Sequence, residues 1–276
     1  IGPSPMASGK DFTGLHDPLG GYSEPHEFIP ALANQCRRLG VEILEAEMAQ
    51  AVLTRDGRIV GVATRHGVIH ADAVVSTSYA WINQVLQSAG VRLPVKSFVH
   101  QRYVTRPLPD EVRIPAINAN PLYGYVRPAS GKRLLLGIET ADREEFIVDS
   151  PGFQMNELSA DAGLRDTLMN SFSKVVPAMK DAKWEYERVG IITFSADNEP
   201  ILGPVAAVEG LYVGVAFHSG GFAYSPVTGM LLADFVAEGK PRLDVSAFSP
   251  DRFNPAETDD YLSHRVQQKN AARRRH

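Results

Sequence analysis

The chain is poor in the residues that build covalent and metal-stapled folds. Its 276 residues include a single cysteine, Cys36. That excludes an intrachain disulfide and any multi-cysteine metal centre. Cys36 sits in the helical pattern ALANQCRRLG and reads as a small buried hydrophobe. The eight histidines are scattered along the chain, and no metal site is expected. No apolar run approaches the roughly 20 residues that cross a bilayer. The opening IGPSPMASGKDF lacks the basic and apolar regions of a signal peptide and reads as an appended leader. A net charge of −4 argues against a general nucleic-acid or acidic-membrane binder. A cytoplasmic location is expected.

What is present suits a globular protein with a real core: 44% hydrophobic and 22% charged residues. Length predicts one or two domains. In GGYSEPHEFIPALANQCRRLG, a Ser23 or Glu24 start followed by Pro25 predicts a helix, with Phe28, Leu32, Cys36 and Leu39 at helical spacing. Gly40 is placed to end it. From Val41 the pattern alternates as a β-meander, with turns expected at Asp56-Gly57 and His66-Gly67. Ala73 to Thr77 reads as a strand buried on both faces of a parallel sheet. Between Leu93 and Arg188, VKSFVHQRYVTRP, PLYGYVRP, KRLLLGIET and KWEYERVGIITF predict an antiparallel sheet. A helix capped by Ser159 or Asp161, with Leu164, Leu168, Phe172 and Val175 on one face, is expected before the last strand.

The stretch GLYVGVAFHSGGFAYSPVTGMLLADFVAEGK predicts a strand over Leu211 to Phe217, a Gly-Gly turn, and a helix over Pro226 to Glu238. Backbone N–H groups at such a turn can face a negative group, because a helix N-terminus carries unpaired donors and partial positive charge. A tight turn that needs glycine only for its backbone reads equally well locally. The polar tail, TDDYLSHRVQQKNAARRRH, is expected to be mobile.

The order of these elements resembles the D-amino-acid-oxidase-like (DAO) family of FAD-dependent oxidoreductases. The most specific part is GIITFSADNEPILGPVAAVEGLYVGVAFHSGGFAYSPVTG, which is most similar to the sarcosine and dimethylglycine dehydrogenase branch. The resemblance implies a mixed α+β and α/β fold: an incomplete, Rossmann-like FAD-binding domain plus an antiparallel substrate domain. Residues 20–92 and 190–245 would form the first, 93–189 the second, with 1–19 a leader and 246–276 a tail. It implies cofactor contacts from Ala49, Ser76, Thr77, Ser78, Ser219, Gly220, Gly221 and Phe222. Tyr123, Tyr125 and Arg127 fall where the family's sheet roofs the substrate. Hydroxyls and an Arg fork there suit a substrate carboxylate, and an ordinary solvated strand remains the other reading. His218 is read as a polar or proton-handling residue or as a structural one. Asp197 is expected to hold a turn.

Departures from the family shape the expectation further. The family's GxGxxG unit is not found, so FAD binding is expected to need that unit from outside this sequence, possibly from a second chain. Tyr79 replaces an expected glycine near the dinucleotide. Leu135 stands where oxygen-reducing members carry lysine, and Ile192 where D-amino-acid dehydrogenases carry arginine. Residues suited to a covalent flavin link are not found, so FAD would be non-covalent. The implied activity is oxidation of the C–N bond of a small secondary or tertiary amino acid, such as sarcosine, dimethylglycine or proline, with hydride passing to the flavin. A cofactor-free subunit or scaffold is the alternative from another class. A D-amino-acid or opine dehydrogenase is the third reading.

Overall fold

The computed structural model describes residues 14–119, 122, 124–138, 143–150, 152–159 and 161–268. Tyr123 and most of the 1–19 stretch lie outside them. The chain mixes helices with antiparallel and parallel strands, as the α+β expectation held.

Helix α1 (Pro25–Arg38) begins with Pro25 at N1 and Glu24 at the N-cap. It ends in a Schellman motif: Gly40, at φ +85°, donates to the Arg37 carbonyl and Val41 donates to that of Cys36. None of its residues is buried, and Ile29 and Leu32 are more than half exposed. Strands β1 (Ala49–Arg55), β2 (Arg58–Thr64) and β3 (Gly67–His70) form the meander. Asp56 and Gly57, both at positive φ, make its first turn. The second turn is Arg65-His66, because Thr64 pairs with Gly67, which already belongs to β3. His66 therefore sits in the turn while His70, four residues on, lies in the strand, and no metal-holding cluster occurs among the described residues.

Strand β4 (Val74–Ser76) pairs in parallel with only one neighbour and leaves Val75 42% exposed. It is an edge strand in the described residues, not one buried on both faces. The short helix α2 (Ile82–Leu86) follows. A five-stranded antiparallel sheet is built from β5 (Val95–Thr105), β6 (Ile117–Ala119), β7 (Gly124–Ala129), β8 (Arg133–Ile138) and β10 (Trp184–Ser195), in the order β10-β5-β8-β7-β6. The two-residue β9 (Arg143–Glu144) pairs outside this sheet, though the adjoining Glu145 bridges to Phe98 of β5. Helix α3 (Ala162–Phe172) is capped by Asp161, whose carboxylate accepts the Gly163 N–H at 2.7 Å. Its Leu168 and Phe172 are fully buried against one face of the sheet, with Tyr103, Val126 and Leu136. Full burial of such side chains stabilises by about 1.5–3 kcal/mol each.

Strands β11 (Ile201–Pro204) and β12 (Leu211–Val215) complete a three-stranded sheet with β4. One core joins Val52, Ile59, Ile82 and Leu86 to Ile201, Leu211 and Val213. The two halves assigned to the cofactor domain thus share an interior. Helix α4 (Gly221–Glu238) packs across β12 at Gly214, where an added Cβ would come within 3.0 Å of Leu232 Cδ1.

The segment read as a mobile tail is folded as far as residue 268. Helix α5 (Pro255–Ser263) is capped by Asn254, and β13 (Gln267–Gln268) pairs with β9. The fully buried Lys96 ties this arm to β5: its ammonium donates to Glu145 at 2.8 Å and to the His264 carbonyl, and lies over the Tyr261 ring. A buried cation needs such compensation, which is why a polar tail folds back here.

Candidate functional site

The parallel strands β4 and β12 end on the same side of their sheet, with Ser76 opposite Val213. Open α/β sheets bind ligands beyond such carboxyl ends. The segments leaving the two strands are backbone-strained. Tyr79, Ala216 and His218 all hold positive φ, at 51°, 60° and 52°, which costs roughly 1–3 kcal/mol per non-glycine residue. The glycines of the turn do not: Gly220 and Gly221 have φ −87° and −53°. At 220 a Cβ would meet the exposed Tyr224 ring, with Cε2 at 2.4 Å, and that side chain would have to shift.

Helix α4 starts at Gly221, five residues before the expected Pro226. Pro226 lies inside it and lacks the N–H that would bond the Phe222 carbonyl; Ser225 Oγ donates to that carbonyl instead, at 2.9 Å. No side chain caps the helix start. Strand β12 ends at Val215, two residues short of the expected Phe217. Ser219, Gly220, Gly221 and Phe222 are therefore the exit from the strand and the first turn of α4. Phe222 is partly exposed and meets Phe28 of α1 edge-on, with ring centroids 5.4 Å apart.

Beyond the end of β4 opens a cleft of about 660 Å³ lined by Ala49, Thr77, Ser78, Tyr79, Trp81 and Phe153 among others. It brings together three of the four expected contacts from the first half of the cofactor domain. Ser76 stays buried in the strand and bonds Ser78 Oγ through its hydroxyl at 2.9 Å. Trp81 Nε1 and Gln84 Oε1 are buried at this cleft without a hydrogen-bond partner. Such a donor and acceptor call for a ligand or water. A cleft of this size, mostly apolar with a few polar groups, fits part of a dinucleotide. Tyr79 is the obstacle the sequence raised. Its phenol crosses to donate to the Ile191 carbonyl of β10, and burial pushes its pKa up to about 12.

The roofing residues divide. His218 stacks on Phe194 of β10, 4.6 Å between centroids, joining the turn to the antiparallel sheet. Tyr125 lies across Gly137, where a Cβ would fall 2.2 Å from its ring, and stacks on His100, with Oη 3.4 Å from Nε2. His100 was not singled out from sequence; its only local mark is its place in VKSFVHQRYVT. Arg127 is a correction. Its guanidinium is held by Glu24 at 2.9 and 3.3 Å, with both side chains about 85% buried, and it lies over the Tyr22 ring. The hydrogen bond from Arg127 lowers the Glu24 pKa. That fork is taken, so it is not open to a substrate carboxylate.

Asp197 holds the turn as expected, accepting from Ser195 Oγ at 2.9 Å and the Glu199 N–H at 3.0 Å. It also pairs with Arg252 at 2.8 and 3.0 Å, which sequence spacing did not signal. Burial opposes its ionisation, but those donors outweigh it and bring the pKa to about 2.

A parallel strand pair ending in a Gly-rich helix start, with an antiparallel sheet alongside, is an arrangement in which α/β proteins bind nucleotide cofactors at the strand ends. Comparison makes the class specific. The family described as FAD dependent oxidoreductase, DAO, matches residues 4–235, opening inside the stretch set aside as a leader. The chain belongs to the DAO family of FAD-dependent oxidoreductases.

It is 25% identical over 253 residues to 4-methylaminobutanoate oxidase (formaldehyde-forming) of Paenarthrobacter nicotinovorans, covering 91% of this chain and 31% of that protein. It is 26% identical over 207 residues to sarcosine oxidase subunit beta of Rhodobacter capsulatus, covering 75% and 47%. The L-proline dehydrogenase structure from P. horikoshii shares the fold, with TM-score 0.74, 24% identity, and coverage of 84% of this chain and 60% of that one. The chain thus spans about a third to a half of the curated relatives. Among the described residues no helix is long and apolar enough to cross a membrane.

Proposed function

We propose that this chain is the catalytic part of an FAD-dependent oxidoreductase that oxidises the C–N bond of a small secondary or tertiary amino acid or amine. Sarcosine, dimethylglycine and proline are the first candidates. The observation that carries the proposal is the meeting of two features at one sheet end: the α4 start without a side-chain cap, and the cleft beside Thr77 and Ser78. Bound FAD supplies the two-electron acceptor, held non-covalently.

The residues present have definable tasks. The first N–H groups of α4, at Gly221 and Phe222, offer donors and a positive dipole end to an anionic edge of the cofactor. Thr77 and Ser78 offer hydroxyls in the cleft. The sheet face bearing Tyr125, His100 and Phe194 covers the site and excludes water. His218, stacked on Phe194, keeps the turn against that roof. The rest of the cofactor cradle would come from a βαβ unit outside these residues, in the same polypeptide or a second chain. The unburied apolar face of α1 and the open edge of β4 support that.

The test is anaerobic mixing of the full-length, FAD-loaded protein with N-methylglycine, N,N-dimethylglycine, L-proline and D-alanine. Loss of the yellow flavin band with the first three supports the reading. Bleaching by D-alanine alone supports the D-amino-acid alternative, and no bleaching at all sinks both. A cofactor-free scaffold is favoured by one observation, the Tyr79 phenol closed across the cleft onto Ile191. Purified full-length protein without flavin, and unable to take it up, would decide for that reading.

A further inference from the structure

The chain enters the antiparallel sheet at the start of β5 and leaves it at the end of β10, where Val95 and Ser195 are directly opposed. The C-terminal arm grips both points. Arg252 pairs with Asp197, just past β10, at 2.8 and 3.0 Å, and donates to the Glu199 carbonyl at 3.1 Å. Asp259 of α5 pairs with Arg92, just before β5. Between these ties stands Lys96, whose side chain has no exposed surface. Its ammonium donates to Glu145 and to the His264 carbonyl and lies 4.8 Å from the centre of the Tyr261 ring. The same Glu145 carboxylate accepts the Val266 N–H at 3.1 Å.

A buried ion pair is a poor source of stability, because desolvating both charges offsets their attraction. It is exacting about geometry, since an ammonium shut away from water needs its carboxylate and carbonyl in place. Lys96 is also directly opposed to Phe194. Opposed residues of an antiparallel pair share a face. On that face the Phe194 ring meets Phe98 edge-on, 5.7 Å between centroids, and stacks on His218 of the strand-end turn at 4.6 Å. The path from the arm to the turn therefore runs Tyr261, Lys96, Phe194, His218, and α4 starts at Gly221.

We propose that Lys96 is a positioning residue for the strand-end site. By holding the C-terminal arm it fixes Phe194, and through Phe194 and His218 it fixes the first turn of α4 against the antiparallel sheet. The arm is then part of the scaffold that orients a substrate over the cofactor. This rests on the proposed oxidation of amines and adds a residue to it.

The experiment uses the full-length FAD-loaded protein and whichever of N-methylglycine, N,N-dimethylglycine and L-proline reduces wild type fastest. In Lys96→Met the anaerobic rate constant for flavin reduction at saturating amine, per bound flavin, should fall about tenfold or more, as misplaced reactants do. The Kd for FAD should change less than about threefold, because the sheet is not its main cradle. Amide exchange should quicken both at Tyr261 to Val266 and at His218 to Phe222. The double variant Lys96→Met/Glu145→Met should regain the wild-type thermal midpoint, since an apolar pair can replace a buried ion pair without loss. It should keep the slow reduction and the fast exchange at both segments. Should either variant not fold, Tyr261→Leu frees the arm without stranding a buried charge and should move rate and exchange in the same directions.

An unchanged rate per bound flavin, or a double variant that recovers the wild-type rate, would mean that Lys96 only stabilises the fold and would overturn the assignment. Faster exchange confined to the arm would overturn it as well. Should no amine reduce wild type, the amine-oxidation reading fails by itself. The exchange comparison needs no substrate and still decides Lys96: protection lost at both segments supports it, and protection lost at the arm alone overturns it.

Discussion

Asp197→Asn isolates the charge of one carboxylate in the loop between β10 and β11. The asparagine side chain keeps an oxygen to accept from Ser195 and Glu199 but loses the ion pair with Arg252. In the folded chain Asp197 titrates at about 2, against a reference of 3.8. At 1.36 kcal/mol per unit that difference is worth at most about 2.4 kcal/mol. The carboxylate is 40% exposed, so solvent screening reduces the expectation to about 1 kcal/mol. Because the folded pKa is depressed, the contribution is complete above the unfolded pKa and is lost as pH falls toward 2. Urea unfolding of wild type and variant should give a gap of about 1 kcal/mol at pH 7 and roughly a quarter of it at pH 3. An equal gap at both pH values would mean that the mutation acts through packing. No gap at pH 7 would mean that the pair contributes nothing.

Two further outcomes follow from local geometry. Gly210 holds φ +83°, and a Cβ there would sit 2.5 Å from the Asp72 carbonyl, while its own carbonyl accepts the Val74 N–H that starts the β4–β12 pairing. Gly210→Ala should cost about 2–3 kcal/mol in urea unfolding, and a cost under about 0.5 kcal/mol would contradict the strain argument. Tyr79→Phe removes the phenol that donates to Ile191 and should destabilise the free protein by about 1 kcal/mol. If that phenol closes the cleft, equilibrium dialysis of the full-length variant should show tighter FAD binding, and unchanged binding would show that the phenol does not obstruct it.

Local signals were legible, and distant ones were not. The Schellman end at Gly40, the Asp56-Gly57 turn and the Asp161 cap each depend on a few neighbouring residues, so the sequence carried them directly. The start of α4 was misjudged because Pro226 marks a first turn by default. Only the Ser225 hydroxyl, covering the Phe222 carbonyl, lets proline sit deeper in the helix. The glycine turn was located, but its strain falls on Ala216 and His218, where no residue preference signals it. Arg127 read as a free fork because Glu24 lies 103 positions away. Lys96 folds the polar tail inward by a contact that spans 168 positions.

The central claim is that the strand-end turn and the cleft beside β4 hold one cofactor. Amide hydrogen exchange of the full-length protein with and without FAD tests it most directly. Residues Ser219 to Phe222 and Thr77 to Tyr79 should both exchange more slowly when FAD is bound. Stoichiometric FAD binding that leaves exchange at both segments unchanged would contradict the account.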